Sequence, residues 1–432
     1  MKKTVLMTLV LLLIVGIGLL SGCEQADAFQ FKSSELEKYV IVYAEDDPDY
    51  FDLANRLADR IYEKYGVMLT TIPDVVATPQ QYEIILGDTI HDNRYTQVMT
   101  YSVAVGNGKF KINVGGAFSA EKAIEFLCKN VFTGKELVLD RGLYYAKNLM
   151  TEHEIAGYTR IMSANILADA FADDTYKSAS YRAEIFAGML VACTPDVVGL
   201  QEADQNWDEA LERYLIKLQQ SHGLTYSRCL ETYQDKINYT SLLYRSDKLK
   251  VEESGVKVFS WWQDGTFNHD YHMRNISWVQ FSSLKNKGEK FIVANTHWSY
   301  RTEHADGRTY LTGSKKPIGT DELRVQCKEE TNAFLSQLRQ SHPGIPVVVT
   351  GDFNTSLTYF TDSGWTPMAF RLISEEARGN GTAESNVPIS GHFDHLFGAG
   401  EYTVQKFAFL KGVNQLELLT DHPCVYADFT FG

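Results

Sequence analysis

Apolar residues recur along this chain in two periods, and the changes between them mark out its elements. Leu53, Leu57, Ile61 and Tyr65 return every fourth position. That spacing puts them on one helical face over Asp52–Tyr65, and Gly66 follows as a stop. Tyr39–Tyr43, Val67–Ile72 and Tyr82–Leu86 read as strands. Gly106-Asn107-Gly108 lies between two alternating runs within Tyr101–Val114, which predicts a hairpin. Ser119 is the expected cap of a helix running to about Val131. Leu137–Ala156 is irregular and polar, and the boundary falls near 150. Beyond it strands alternate with helices. One helix is expected over Tyr181–Cys193, before Pro195. A second is expected over Asp321–Gln340, with Leu323, Cys327, Phe334 and Leu338 on one side and Thr320 as cap. No internal repeat interrupts this order.

The first residues follow a different pattern. Lys2 and Lys3 precede an apolar run from Val5 to Leu20, and Leu20-Ser21-Gly22-Cys23 closes it. This resembles a bacterial lipoprotein lipobox, which implies cleavage before Cys23, acylation of its thiol and retention outside the cytoplasmic membrane. The expected organisation is a signal peptide at 1–22, a tether at 23–35, a small α/β accessory unit at 36–150 and a catalytic unit at 151–432. The Glu-Ile-Ile-Leu-Gly-Asp strand end at 83–88 resembles small α/β domains attached to bacterial surface hydrolases. Glu83 and Asp88 themselves read as surface or turn residues. No later stretch is long and apolar enough to span a bilayer.

Charge narrows the choice of partners. The chain carries −14, and without its first 22 residues it has 39 basic against 55 acidic residues, or −16. Such a balance gives no basis for binding polymeric nucleic acid, which needs Lys and Arg against phosphates. Apart from Cys23 there are five cysteines (Cys128, Cys193, Cys229, Cys327 and Cys424), with no zinc-site spacing, and they read as buried free thiols.

The chemistry is concentrated at strand ends. Arg160–Asn165 delivers Asn165, and Asp196–Glu202 delivers Glu202. Phe291–His297 delivers His297, and Val347–Asn354 delivers Asp352 and Asn354 on one face. His392–Phe397 delivers Asp394, and Thr420-Asp421-His422-Pro423 delivers Asp421 and His422. Each taken singly has an ordinary explanation as a loop, an Asx turn or a core histidine. Six in this order within one α/β unit do not.

Through the motifs Leu-Gln-Glu, Asn-Thr-His, Gly-Asp-Phe-Asn, Phe-Asp-His-Leu-Phe and Asp-His-Pro, residues 157–432 resemble the endonuclease/exonuclease/phosphatase superfamily. Thr420 stands where that family usually has Ser. The resemblance implies an α/β fold built as a four-layer αββα sandwich of two mixed sheets, with the site at one end. It implies a Mg²⁺-dependent phosphoesterase, with Mn²⁺ as a substitute ion. Hard oxygen donors suit such an ion; Glu202 is the main expected ligand, with Asn165 and Asp421 as further or water-mediated ones. Asp352 is expected to orient and deprotonate water, and Asn354 to hold the nucleophile or a phosphate oxygen. By resemblance Asp394 pairs with His422 to favour an imidazolium, and His297 binds phosphate or protonates the leaving group. Arg274 matches a phosphate-contacting position.

The partner is then a phosphorylated molecule such as a lipid headgroup, a sugar or inositol phosphate, or a nucleotide. The segments Trp261–Tyr271 and Trp298–Pro317, the latter with Arg301, His304 and Arg308, are candidates for shaping its pocket. The rival reading is a catalytically silent lipoprotein that holds a phosphorylated ligand. A glycan hydrolase would need a carboxylate pair at one site, which these motifs match less well.

Overall fold

The computed structural model describes residues 29–432 apart from 93–95, 151–156, 261–272, 287, 300–307, 310–317, 356–369, 385–391 and 411–414. Cys23, the segment Trp261–Tyr271, and Arg301 and His304 lie outside the described residues.

The N-terminal unit is built on one six-stranded sheet. Its elements are β1 (Gln30–Lys32), β2 (Val40–Tyr43), α1 (Asp49–Tyr65), β3 (Thr71–Pro73), β4 (Glu83–Leu86), β5 (Thr100–Gly106), β6 (Lys109–Val114), α2 (Ala117–Phe126), β7 (Val138–Asp140) and β8 (Gly142–Asn148). The strand order is β3-β2-β4-β6-β5-β8, and β1 pairs separately with β7. Gly66 closes α1 at φ 73°, and Asn107-Gly108 turns the hairpin with both residues at positive φ, as two-residue hairpins prefer.

Four expectations change here. The tether is structured from Gln30 onward, because β1 gains a partner more than a hundred residues away. The polar stretch 137–156 contains β7 and β8; β8 is a mostly exposed edge strand, so it lacks the alternation that marks a half-buried one. Ser119 lies inside α2 and does not cap it. Glu83 is fully buried, accepting from the Gln80 N–H and pairing with His91 and Lys109.

The second unit begins with β9 (Thr159–Asn165), α3 (Ala179–Cys193), β10 (Val197–Gln201), α4 (Gln205–His222), β11 (Tyr226–Cys229) and β12 (Leu242–Arg245). It continues through β13 (Leu249–Val258), β14 (Asn275–Ser283), β15 (Lys290–His297), α5 (Thr320–Ser341), β16 (Val347–Asp352), β17 (Arg371–Leu372), α6 (Ile373–Asn380), β18 (Asp394–Ala399), β19 (Tyr402–Leu410) and β20 (Cys424–Phe431). These form two mixed six-stranded sheets, ordered β11-β12-β10-β9-β20-β19 and β13-β14-β15-β16-β18-β17.

Strand alternation explains the layering. Ile161, Val197, Phe291, Val293, Val348 and Leu396 meet in a core between the sheets. Their neighbours Met162 and Val198 face α3 and α4, in a core continuous with that of the N-terminal unit. Ile292, Val347 and Val349 face outward against Cys327, Leu335 and Leu338 of α5. The result is the expected αββα sandwich.

One buried ion pair ties β9 to β20. Arg160 donates to both oxygens of Asp428 at 2.7 and 2.8 Å and to the Cys193 carbonyl at 2.7 Å, and it lies over the Tyr426 ring. Removing one member strands the other charge. Arg160→Met should therefore cost about 3–5 kcal/mol in urea denaturation, with much of it recovered in Arg160→Met/Asp428→Leu.

Candidate active site

The faces that form the inter-sheet core change character along each strand. Ile161, Val197, Val293, Val348 and Leu396 are followed two residues on, in most strands, by polar positions: Ser163, Gly199, Asn295 and Thr350. After them come Asn165, Gln201, His297 and Asp352, while Asp394 stands two residues before Leu396 on β18. The apolar core thus gives way to a polar layer and then to the candidate site.

In the polar layer the Gln201 amide donates to Asn295 Oδ1 at 2.6 Å, and the Thr350 hydroxyl donates to the same oxygen at 3.0 Å. Gly199 makes room for this. A Cβ there would lie 2.1 Å from Thr350 Oγ1, so the sheets could not close.

Register assembles one wall. His297 pairs with Asp352 across β15–β16, and Asp352 with Asp394 across β16–β18. Directly opposed residues share a face. The other wall is Asn165 at the end of β9, beside Gln201, with Glu202 next in the chain. Strict alternation would turn Glu202 away from the pocket. Its backbone is left-handed, at φ 65°, and redirects it; Asn354 is likewise at φ 49°. Each such conformation costs on the order of 1–2 kcal/mol for a non-glycine residue, and it is held here by the surrounding hydrogen bonds.

Those bonds join the walls. Asn165 Nδ2 donates to Glu202 Oε1 at 2.9 Å and to Asp352 Oδ2 at 3.1 Å, while its oxygen accepts from the Leu167 N–H. The Ala168 N–H holds Glu202 Oε2 at 2.9 Å. Asp352 Oδ2 lies 3.3 Å from His297 Nε2 and 3.8 Å from His422 Nε2, and its Oδ1 accepts the Asn354 N–H at 2.8 Å. His422 Nδ1 meets Asp394 Oδ2 at 2.8 Å.

The structure thus brings together Asn165, Glu202, His297, Asp352, Asn354, Asp394 and His422. Asn354 Nδ2 and Arg274 both donate to the Trp298 carbonyl, which ties Arg274 to the β15 end of the site. Asp421 adjoins His422, but its side chain is exposed.

Electrostatics separate the acids. Burial works against the charge on Asp352, yet the two histidines and the Asn354 N–H hold its carboxyl well below the usual range. Burial also opposes ionisation of Glu202, but His297, the Ala168 N–H, Asn165 and Arg274 lower it. Burial pushes Asp394 up to about 6. Burial opposes the His422 charge too, but Asp394 and then Asp352 raise it to about 10, so the pair is ionic at neutral pH.

Because the folded value of His422 lies above its ordinary 6.5, the stability from its charge is complete below about 6.5 and is lost as pH rises through about 10. Asp394→Asn removes the main raising contact. The His422 titration followed by NMR should then fall by more than one unit, and any activity that needs the imidazolium should lose its alkaline range with it.

The donor set fits a hard divalent cation. Ligand atoms of Glu202, His297 and Asp352 lie within 4.8 Å of one another, as do those of Asp352, Asp394 and His422. Glu202, Asp352 and Asp394 concentrate more negative charge than His422 offsets. In this arrangement Asn165 offers its amide N–H groups to the acids, and its oxygen, which accepts from Leu167, keeps a second lone pair.

Gln201, Asn295 and Thr350 were not singled out by motif reading. Asn295 sits inside Asn-Thr-His, two positions from His297, which was. Its spacing from His297 on the same strand face was the available signal.

Residues 162–410 match the model of the Endonuclease/Exonuclease/phosphatase family. Solved structures align over 63–64% of the chain. A mannosyl-6-phosphatase of Bacteroides thetaiotaomicron is 17% identical, covering 63% of this chain and 99% of its own, with a TM-score of 0.43. An endonuclease/exonuclease/phosphatase of Bacteroides vulgatus is 19% identical, covering 64% and 100%, with a TM-score of 0.45. The human Nocturnin catalytic domain with bound sulfate is 18% identical, covering 64% and 95%, with a TM-score of 0.45. No curated protein matches the sequence.

Proposed function

The chain belongs to the endonuclease/exonuclease/phosphatase family, and from that premise we propose that it is a Mg²⁺-dependent phosphoesterase, with Mn²⁺ as a substitute ion. The observation that carries this reading is the meeting of Glu202, Asp352 and Asp394 with His297 and His422 at one end of the two sheets.

Asp352, kept ionised, orients a water molecule and takes its proton as the water oxygen bonds to phosphorus. Asn354 steadies that water or a phosphoryl oxygen. The His422 imidazolium, held by Asp394, balances the charge that grows on the phosphoryl oxygens, and Arg274 adds positive charge from the β15 side. His297 gives a proton to the departing oxygen as the P–O bond breaks. A divalent ion on Glu202, with Asn165 and Asp421 directly or through water, would neutralise phosphoryl charge as a Lewis acid.

The substrate class is a phosphorylated lipid headgroup, sugar, inositol or nucleotide. On the same reading the mature chain begins at Cys23 and is held outside the cytoplasmic membrane by its acylated thiol.

The test is turnover by the chain from Cys23 onward of p-nitrophenyl phosphate, bis(p-nitrophenyl) phosphate and a panel of natural esters, with Mg²⁺ and with chelator. Mg²⁺-dependent release of product supports the reading. Equal rates in both conditions contradict it. Tight binding of a phosphorylated ligand without turnover would favour a silent binding protein.

A further inference from the structure

Helix α3 carries a charged residue that sequence reading passed over. Arg182 has no exposed surface. Its Nε donates to the Lys177 carbonyl at 2.7 Å. Its Nη1 donates to the carbonyls of Ile166 at 2.7 Å, Leu167 at 2.9 Å and Leu419 at 2.9 Å. The guanidinium lies 5.0 Å from the Trp207 ring centre, and its Nη2 is 4.0 Å from Asp169. Burial pulls it down to about 10, so it remains a cation at neutral pH.

The acceptors matter more than the count of bonds. Ile166 and Leu167 directly follow Asn165, and Ala168, next in line, holds Glu202. Leu419 directly precedes Thr420-Asp421-His422. The first segment leaves β9 and the second leads into its neighbour β20, and each carries a group near Asp352 Oδ2, Asn165 at 3.1 Å and His422 at 3.8 Å. One nitrogen, Nη1, therefore bridges both, and the Nε bond to Lys177 fixes the guanidinium plane that aims it.

The helix that carries it is itself anchored from behind. Tyr181 bonds Glu121, Ser180 bonds Asp47 at 2.9 Å, and Glu184 accepts from the N–H groups of Met99 at 2.7 Å and Ser119 at 2.9 Å and from the Ser119 hydroxyl. Gly188 allows this approach, since a Cβ there would fall 2.4 Å from Met99 Cγ. One side of α3 is thus fixed to the N-terminal unit, while Arg182 reaches the site loops from the same helix.

We propose that Arg182 is a positioning residue that sets the separation between the Asn165–Glu202 side of the pocket and the Asp421–His422 side. The proposal rests on the phosphoesterase reading above for its kinetic consequence. It does not rest on that reading for its structural consequence.

Arg182→Lys keeps the charge but loses the Nε bond to Lys177 and the rigid plane that places Nη1. With p-nitrophenyl phosphate and bis(p-nitrophenyl) phosphate in Mg²⁺, it should lower kcat by about 10²-fold with little change in KM, because a shift near 1 Å in a reacting geometry costs that much. In a His422→Ala background the same change should cost little further, since the group it positions is gone. A purely structural role would multiply through in both backgrounds. Wild-type kcat in Arg182→Lys, or full multiplication in the double variant, overturns the proposal.

If the wild type turns over neither probe nor any ester of the panel, the phosphoesterase reading fails, and hydrogen exchange decides the positioning role by itself. Amides of 166–168 and 418–422 should exchange faster in Arg182→Lys, while those of 99–119 stay unchanged. Equal exchange in the two site segments overturns it. Arg182→Met serves for both measurements should the lysine variant not fold.

Discussion

Asp352→Asn is expected to reduce phosphoester turnover by roughly 10³-fold, within the 10²–10⁴ range of positioned acid–base groups, and to lower stability at neutral pH, because the fold favours the ionised carboxylate. The substitution keeps size and shape but removes the charge and replaces one accepting oxygen by a donor. That charge touches nearly every other candidate: Asn165 at 3.1 Å, His297 at 3.3 Å, His422 at 3.8 Å and the Asn354 N–H at 2.8 Å. A neutral amide accepts no proton from water and no longer helps to keep His422 cationic. The amide must also turn its NH₂ toward Asn165 or the Asn354 N–H, so stability falls along with activity. Steady-state kinetics and a thermal melt on the same sample check both halves. A stable variant at near-normal kcat would remove Asp352 from the reaction.

Glu202→Gln is expected to have an effect of similar size, about 10³-fold, through the cation and not through proton transfer. Lewis-acid stabilisation is worth several kcal/mol in a transition state. Both Glu202 oxygens already face donors, one the Asn165 amide and the other the Ala168 N–H. Gln must turn an NH₂ toward one of them, so the change costs a charge and a bond. Calorimetric titration should show weaker Mg²⁺ binding, with activity partly returning at high Mg²⁺. Unchanged Mg²⁺ affinity would mean that the ion is held elsewhere. The two variants are distinguishable because Asp352→Asn should not be rescued by added Mg²⁺.

Much of this site could be read from local pattern. Asn165, Glu202, His297 and Asp352 each end a strand whose apolar run is visible in the chain, and alternation alone put Asp352 and Asn354 on a common side. Pairing could not be read. That β16 lies between β15 and β18, so that His297, Asp352 and Asp394 form a row, depends on contacts between segments dozens of residues apart. Nor could the left-handed turn at Glu202, because nothing in Gln-Glu-Ala demands it.

Buried charge was least legible. Arg182 and Glu184 sit in a helix buried on nearly every side, where helical periodicity offers no polar face. Glu184 finds its partners at Met99 and Ser119, more than sixty positions away. Glu83 was misread for the same reason. Its partners His91 and Lys109 are set by sheet geometry, and a carboxylate looks like a surface residue until they are in place. The exposed edge strand β8 shows the converse, since a strand without a buried face carries no period.

The most direct test of the central claim is hydrolysis of the best substrate in H₂¹⁸O with Mg²⁺, followed by mass analysis of both products. Attack of water on phosphorus, with cleavage of the P–O bond, puts the label in the phosphoryl product and leaves the alcohol unlabelled, and Asp352→Asn slows that incorporation by roughly 10³-fold. Label in the alcohol, or incorporation that keeps its wild-type rate under chelation and in Asp352→Asn, would contradict the account.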